Sequence, residues 1–474
     1  MIRKIIAKEV LEHMLGLRFL LSLVFTVSLF AANGVIFARR YEKQVTQHSQ
    51  RVNKNLEGFR EQSRQLFRLA FYRHEVYAEP SPLTCFVEAY EKSLPNCIRF
   101  TAFSADLPEV RDQGNFTLPH FSDIDWVFVV SVVLSFVALV FTYDSICGER
   151  ETGTLALTLA GAVPRYAVLL AKYAAAMLTL GIPLCIGLLV NLLIVVSSRS
   201  VGFESGDGWK ILAIVLLSLL YLSAFALLGL LVSSRMMHSA HSMVILLLAW
   251  TALVILTPSV GRILSDVSAR DTTQVELRRK LEEAARQVDE QAHAGVFGEN
   301  PGHMSSDRDD SMNNPPARAK WMIAKTQARN QVLQEHHRGL LAQVAAGWDW
   351  TCFSPVTVYR RAAEALVGTG VSHCVNLHHQ VRQYQDVLLQ YVRDEDSPDP
   401  DSLHLLFDEY VCADRWHTIS HQPVDFETVP KFHERRLPLG ASLRLALWDL
   451  GLLVLFNLVF FALSFVAFTK YDVR

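Results

Sequence analysis

An excess of charge of either sign is the first thing this sequence lacks. Lys and Arg number 45 against 47 Asp and Glu, a formal net charge of −2, and charged residues make up only 19% of the chain. Nucleic-acid binding needs a basic surface to replace the counterions around phosphates, so that class is set aside. No Gly-x-x-x-x-Gly-Lys-Ser/Thr occurs: residues 202–210 hold glycines, but without the spacing and without a hydroxyl after Lys210. ATP binding of the P-loop kind by this chain is therefore excluded. No Cys-x-x-Cys or His-Glu-x-x-His accompanies the histidines at 336, 337, 373, 378, 379, 417 and 421, so they read as solvated rather than as three or four converging metal ligands. His417 and His421 share a helical face if that stretch is helical. The Asp run at 307–310 lacks the sixth-position Gly and terminal Glu of a calcium loop, and no Ser sits in a nucleophile elbow. No strand-rich block is evident either. These absences describe a chain that is not an enzyme and has no cofactor or metal of its own.

What the sequence does have is long apolar runs. Of 474 residues, 51% are hydrophobic, and the mean hydropathy of +0.21 averages apolar blocks with very polar ones. A run of about 18 apolar residues suffices to cross a bilayer as a helix. Six spans are expected, at 17–38, 126–142, three within 166–257 (166–196, 211–232 and 243–257), and 443–469. The first outlasts the apolar region of a signal peptide and no small-residue cleavage site follows it, so it is read as an anchor. Before it, residues 1–16 set Ile2, Ile5, Ile6, Val10, Leu11 and Met14 close to one helical face, with Arg3, Lys4, Lys8 and Glu12 mostly elsewhere. That pattern suits an amphipathic helix lying among lipid headgroups, with a frayed extension of the first span as the alternative. Pro183 is expected to kink or tilt the third span. Asp449, near Arg444, reads as a satisfied interfacial carboxylate.

Two polar insertions, 39–125 and 258–442, separate these spans. Four spans lie between them, so they fall on one side of the membrane, and the 143–165 connection falls on the other. Arg3, Lys4, Lys8, Arg18, Arg150, Arg165, Lys172, Arg235, Lys470 and Arg474 gather on the side of that connection, which the positive-inside rule makes cytoplasmic. Both termini, including the 470–474 tail, then lie in the cytoplasm, and the insertions lie in the periplasm of a bacterial inner-membrane protein. Five cysteines lie in the insertions, as an oxidising compartment favours. Cys85 and Cys97 bracket a turn that a disulfide would close, and Cys374 with Cys412 is the expected second pair, leaving Cys352 odd. The first insertion reads as a long helix over 41–77. The second reads as helices near 272–294, 317–346, 356–366, 377–393 and 402–413. The fold class is thus an all-α membrane protein: six transmembrane helices with two mainly helical extracytoplasmic insertions.

Between the second and third spans stands Asp144-Ser145-Ile146-Cys147-Gly148-Glu149-Arg150-Glu151-Thr152-Gly153-Thr154-Leu155, followed by Pro164 and by Lys172 at the head of a span. Its charges hold it outside the hydrocarbon, Gly153 permits a tight turn, and Leu155, Leu157 and Leu159 return to the interface. This stretch resembles the signature of ABC-2 type exporter permeases, and it follows span two as in that family. The large insertions are similar to those of gliding-motility and copper-processing permeases. The resemblance implies a transmembrane subunit of an ATP-driven exporter of an unknown substrate, with ATP and Mg held by a separate ABC ATPase subunit. It also implies that Asp144, Gly148, Glu149, Arg150, Glu151, Gly153 and Thr154 form the ATPase-coupling segment and that residues 3–15 form an elbow helix. A second permease copy or paralogue, membrane lipid and a periplasmic partner complete the partners it implies. The alternative is a membrane scaffold whose insertions recruit outer partners while ATP hydrolysis does mechanical work. A metal-dependent enzyme in the insertions is a third class.

Overall fold

The computed structural model describes residues 2–87, 96–108, 124–155, 164–198, 201–204, 206–260, 274–298 and 314–469. The 470–474 tail, Leu157 and Leu159, the Asp run at 307–310 and parts of both insertions lie outside the described residues. Among those described, six helices are long and apolar enough to cross a membrane. The chain is an all-α, multi-pass membrane protein.

Helix α1 (Ile2–Leu15) ends at Gly16, whose extended backbone turns the chain into α2 (Leu17–Gln62). Helix α2 is the first departure from the sequence expectation. No proline interrupts it, so the first span and the polar stretch beyond form one 46-residue helix, roughly 69 Å long. That length is about twice the hydrocarbon thickness, so its far half stands in water. The helix expected to reach residue 77 stops at Gln62. It is followed by α3 (Leu66–Phe71), β1 (His74–Tyr77) and, after a 3-10 turn at Pro82–Cys85, β2 (Cys97–Phe100). The two strands pair antiparallel with His74 opposite Phe100. Each holds four residues, too few for alternation to stand out beside a long helical period.

The second span is α4 (Trp126–Phe128), a π-helical turn (Val129–Leu134) and α5 (Ser135–Thr142), capped by the Asp125 carboxylate on Phe128 N–H at 2.7 Å. After α6 (Cys147–Glu151) come α7 (Arg165–Ser197), α8 (Asp207–Arg235), and α9 (Ser239–Trp250), which passes into a π-helical turn (Thr251–Leu256). Helix α7 runs unbroken through the buried Pro183. The later part of the chain supplies α10 (Gln274–His293), α11 (Pro315–Thr351), α12 (Pro355–Val367), α13 (Gly370–Asp396), α14 (Tyr410–Trp416) and the last span, α15 (Leu439–Thr469). Helix α8 is the central span and packs on α5, α7, α12 and α15, whereas α9 and α15 turn most of their apolar side chains outward. Close approach needs small residues here. A Cβ on Gly187 of α7 would come within 2.0 Å of the Phe30 ring of α2, and one on Gly229 of α8 within 1.9 Å of Thr142 Oγ1.

Both insertions build one lobe at the same end of the bundle. Phe59, Leu66, Phe67, Val76 and Phe100 from the first share a core with Leu377, Val381, Leu388, Val392 and Ile419 from the second. Backbone bonds from Leu66 N–H to Gln422 C=O and from Val424 N–H to Ser63 C=O tie the two together. Helices α10 and α11 form a hairpin around Val288, Ala292 and Trp321, held to the lobe by Arg318 on Glu409 and by Arg329 on Asp106 at 2.8 Å.

Several expectations change. The expected helix at 402–413 is only Tyr410–Trp416, and His417, with φ +50°, lies past its end; it still stacks on His421 at 3.9 Å between ring centroids. His337 and His378 also meet, at 4.5 Å. Among the described residues no three His, Cys, Asp or Glu side chains converge as a metal site. Cys85, Cys97, Cys374 and Cys412, the residues of the two expected bridges, are all buried. Cys85 packs in the span core beside Phe86 and Trp126, and Cys97 opens β2. Burial pushes the Cys374 thiol up to about 11, and burial with Glu409 alongside pushes Cys412 up to about 12. Asp449 pairs with Arg361 of α12, not with Arg444. Helix α12 itself, expected in the insertion, lies among the spans.

Candidate coupling site

At the end of the bundle away from the lobe, α5 finishes at Thr142 and residues 143–146 turn the chain into α6. Five residues cannot hold a helix in water on their own, so tertiary contacts must hold α6. Ser233 of α8 supplies one, its Oγ accepting from Ile146 N–H at 3.0 Å and Cys147 N–H at 3.1 Å, where the helix has no acceptors of its own. Ile146 and Cys147 are fully buried, and Ile146 shares a small core with Leu155, Val168, Leu169, Leu230 and Phe468. Tyr143 C=O accepts from Ser242 Oγ of α9 at 2.7 Å.

Each charge of the segment then reaches a different helix. Asp144 accepts from Arg18 Nη1, at the start of α2, at 2.7 Å, and the same guanidinium lies over the Tyr143 ring. Glu149 Oε1 is 2.8 Å from Lys172 Nζ of α7, and Lys172 Nζ is also 2.8 Å from Glu9 Oε1 of α1. Arg150 donates to the C=O groups of Ser234 (3.1 Å) and Met236 (2.9 Å), where α8 ends. A cation there suits the negative end of the helix dipole. Glu151 accepts from Ser239 N–H at 2.8 Å and from Ser239 Oγ at 2.5 Å, capping the start of α9. Gly148 lies within α6, and its N–H donates to Asp144 C=O at 2.8 Å. Gly153, at φ +73°, reverses the chain after α6 with open space around its Cα, and Thr154 Oγ1 donates back to Glu149 C=O at 3.3 Å.

All seven residues singled out in the sequence therefore sit on α6 and its flanking turns. Asp144, Glu149 and Arg150 turn inward as staples to α2, α7 with α1, and α8, and the exposed face is Glu151, Thr152, Gly153 and Thr154. The partner residues Glu9, Ser233, Ser239 and Ser242 carry no signal in the sequence, because a serine in a span or a lone acid on an amphipathic helix looks the same with or without a distant partner. Arg18 was visible only as a charge at a span end, and Lys172 as the charge at the head of the span that follows the segment.

The chain matches the family model for ABC-2 family transporter protein over residues 3–308, which takes in α1, the first five spans and the whole of this site. The chain belongs to the ABC-2 transporter family. As an ABC-2 permease it is a component of an ABC transporter, in a family that works with an ATP-binding subunit. Residues 270–433 match a second model, Domain of unknown function (DUF3526), so the permease carries an extra domain before its last span. No curated protein matches the permease.

Proposed function

We propose that this permease is the transmembrane subunit of an ATP-driven exporter in a bacterial inner membrane, and that residues 144–154 receive the movement of a separate nucleotide-binding subunit. The observation that carries this reading is the wiring of α6 and the turn before it, which are joined by ion pairs and hydrogen bonds to α2, α7, α8 and α9, and through Lys172 to α1. Packed helices do not deform continuously, so a displacement of α6 tilts those helices together. The exposed run Glu151–Thr154 offers a docking face of hydroxyls, one carboxylate and open backbone at Gly153. Arg3, Lys4, Lys8, Arg18, Arg150, Arg165, Lys172 and Arg235 cluster at this end, which supports a cytoplasmic face for it and for both ends of this chain, with the lobe in the periplasm. Substrate movement is then an alternation between two packings of the spans, driven by ATP bound elsewhere.

A second reading draws on the lobe. Helix α2 passes without a break from the membrane into the lobe core, as expected of a scaffold that turns ATPase strokes into mechanical work on an outer partner. Purification in mild detergent, with identification of the co-purifying chains, tests both. An ATPase subunit is expected in the complex, and its absence under conditions that keep the permease folded would remove the coupling proposal. Charge reversal by Glu151→Lys, which faces outward, is expected to lower ATPase stimulation by the permease while leaving its insertion unchanged.

A further inference from the structure

We propose that the lobe binds a short oligosaccharide in a cleft beside the ends of α13 and α14, with the His417 ring as its stacking floor. The cleft lies within the segment that matches the domain of unknown function. The inference needs the lobe alone and is independent of how ATPase movement enters at α6.

The cleft has a volume of about 700 Å³, in the range of small-molecule sites. Two stretches of chain build it, one following α13 and one following α14. Asp396, the last residue of α13, is fully buried and ties them together. Its carboxylate accepts from Ser402 Oγ at 2.6 Å, from His404 Nδ1 at 2.9 Å and from Ser420 N–H at 2.7 Å. Leu403 N–H and Leu405 N–H donate to the C=O groups of His417 (2.9 Å) and Thr418 (2.8 Å). Asp399, on the cleft wall, accepts from Ser420 Oγ and from Asp401 N–H at 3.1 Å. The walls are thus fixed before any ligand arrives.

The floor is a pile of three rings. Helix α14 stops at Trp416, and His417 takes the left-handed turn that follows (φ +50°), a position that glycine fills with least strain. His404 (φ +53°) is the other non-glycine residue with positive φ among the described residues, so both strained histidines flank the same pair of stretches. Backbone held in this region collects where ligands are gripped. The His417 ring lies on His421 at 3.9 Å and 17°, and His421 lies on Phe67 at 4.2 Å and 19°. Phe67 is rooted in the lobe core, and His421 Nε2 donates to Ala413 C=O at 2.9 Å, which holds the lower two rings in place. His417 ends the pile, exposed and lining the cleft.

The rim selects the ligand. Asp399, Asp401, Arg415 and Gln422 line it together with Trp416. A sugar hydroxyl both donates and accepts, so one polyol ring can satisfy carboxylate, guanidinium and amide at once. Its C–H faces suit the planar rings of His417 and Trp416. A phosphorylated ligand would meet two carboxylates against one guanidinium, and an apolar one would desolvate all three charges without return. A metal ion finds no three ligands converging among the described residues. Carbohydrate is the class that uses the whole lining.

The test uses the full-length permease in lipid nanodiscs, because glucoside and maltoside detergents would compete for the cleft. Cellotriose, maltotriose, chitotriose and mannotriose are titrated and followed by saturation-transfer NMR. At least one is expected to bind with a Kd below about 1 mM, and Trp416→Ala and His417→Gly are each expected to weaken it at least tenfold. Glycine suits the left-handed turn, so His417→Gly should keep or raise the melting temperature of the lobe, which separates lost binding from lost folding. Failure of all four sugars to bind the unaltered chain, or an unchanged Kd in both variants, overturns the cleft. Coupling the bound sugar to a resin through its reducing end distinguishes its source. Capture of the nanodiscs supports the end of a larger glycan as ligand, and binding of the free sugar without capture supports a free oligosaccharide.

Discussion

Replacing Lys172 by Met is the sharpest perturbation of the candidate coupling site. The Lys172 side chain is 2% exposed and lies 2.8 Å from both Glu9 (9% exposed) and Glu149 (20% exposed). Met fills a similar volume, so packing is nearly kept and only the cation is lost. Removing one member of a buried ion group costs about 3–5 kcal/mol, because the remaining charge stays buried without its partner. Here two carboxylates remain. Glu149 reaches some solvent, which brings the expected loss to the low end, about 3 kcal/mol. Denaturant titration in detergent, followed by intrinsic fluorescence, reads this loss. The triple variant Glu9→Gln/Lys172→Met/Glu149→Gln, which leaves no buried charge, is expected to recover most of it. A cost below about 0.5 kcal/mol for Lys172→Met, or no recovery in the triple variant, would refute the assignment of Lys172 as the shared pin of α1 and α6. Hydrogen exchange adds a local reading: amides at 147–155 are expected to lose protection in Lys172→Met before those of α8.

Two further outcomes follow from the geometry. His74 is fully enclosed by Phe59, Tyr72 and Phe100, and burial lowers its pKa from 6.5 to about 3. The unfolded chain binds a proton at this site below about pH 6.5 and the folded lobe does not until about pH 3. Lobe stability is therefore expected to fall with pH across that window, by about 2 kcal/mol at pH 5. Hydrogen exchange in α3 and the two strands measures the fall, and His74→Phe should flatten it; an unchanged pH dependence in that variant refutes the assignment. In the membrane, Gly187→Leu places its side chain on the Phe30 ring, where a Cβ alone comes within 2.0 Å. It is expected to separate α2 from α7 and abolish a monodisperse detergent preparation, whereas Gly181→Leu on the same helix, with open space around it, should be tolerated.

Much of this architecture was legible in the sequence because it depends on long runs. Hydropathy marks the six spans, parity puts both insertions on one side, and a charged cluster between two spans points to residues 144–154. What was hidden depends on pairs of residues far apart. Glu9 and Lys172 are 163 positions apart and Ser233 and Ile146 87 apart, and no local period reports such meetings. The strands were missed because four residues each of His-Glu-Val-Tyr and Cys-Ile-Arg-Phe are too short for a period of two. The placement of α12 was missed for another reason. Thirteen residues with Arg360, Arg361 and Glu364 cannot be a span, and an amphipathic stripe does not say whether its apolar side meets a lobe or a membrane bundle.

The unbroken α2 has a mechanical corollary. Being roughly 69 Å long, it behaves as an oar: Arg18 sits at the handle and Phe59 at the blade. A rotation of about 5° at the handle sweeps the blade through about 5 Å, close to the rise of one helical turn. A tilt too small to notice beside Arg18 thus becomes a displacement large enough to rearrange contacts in the lobe.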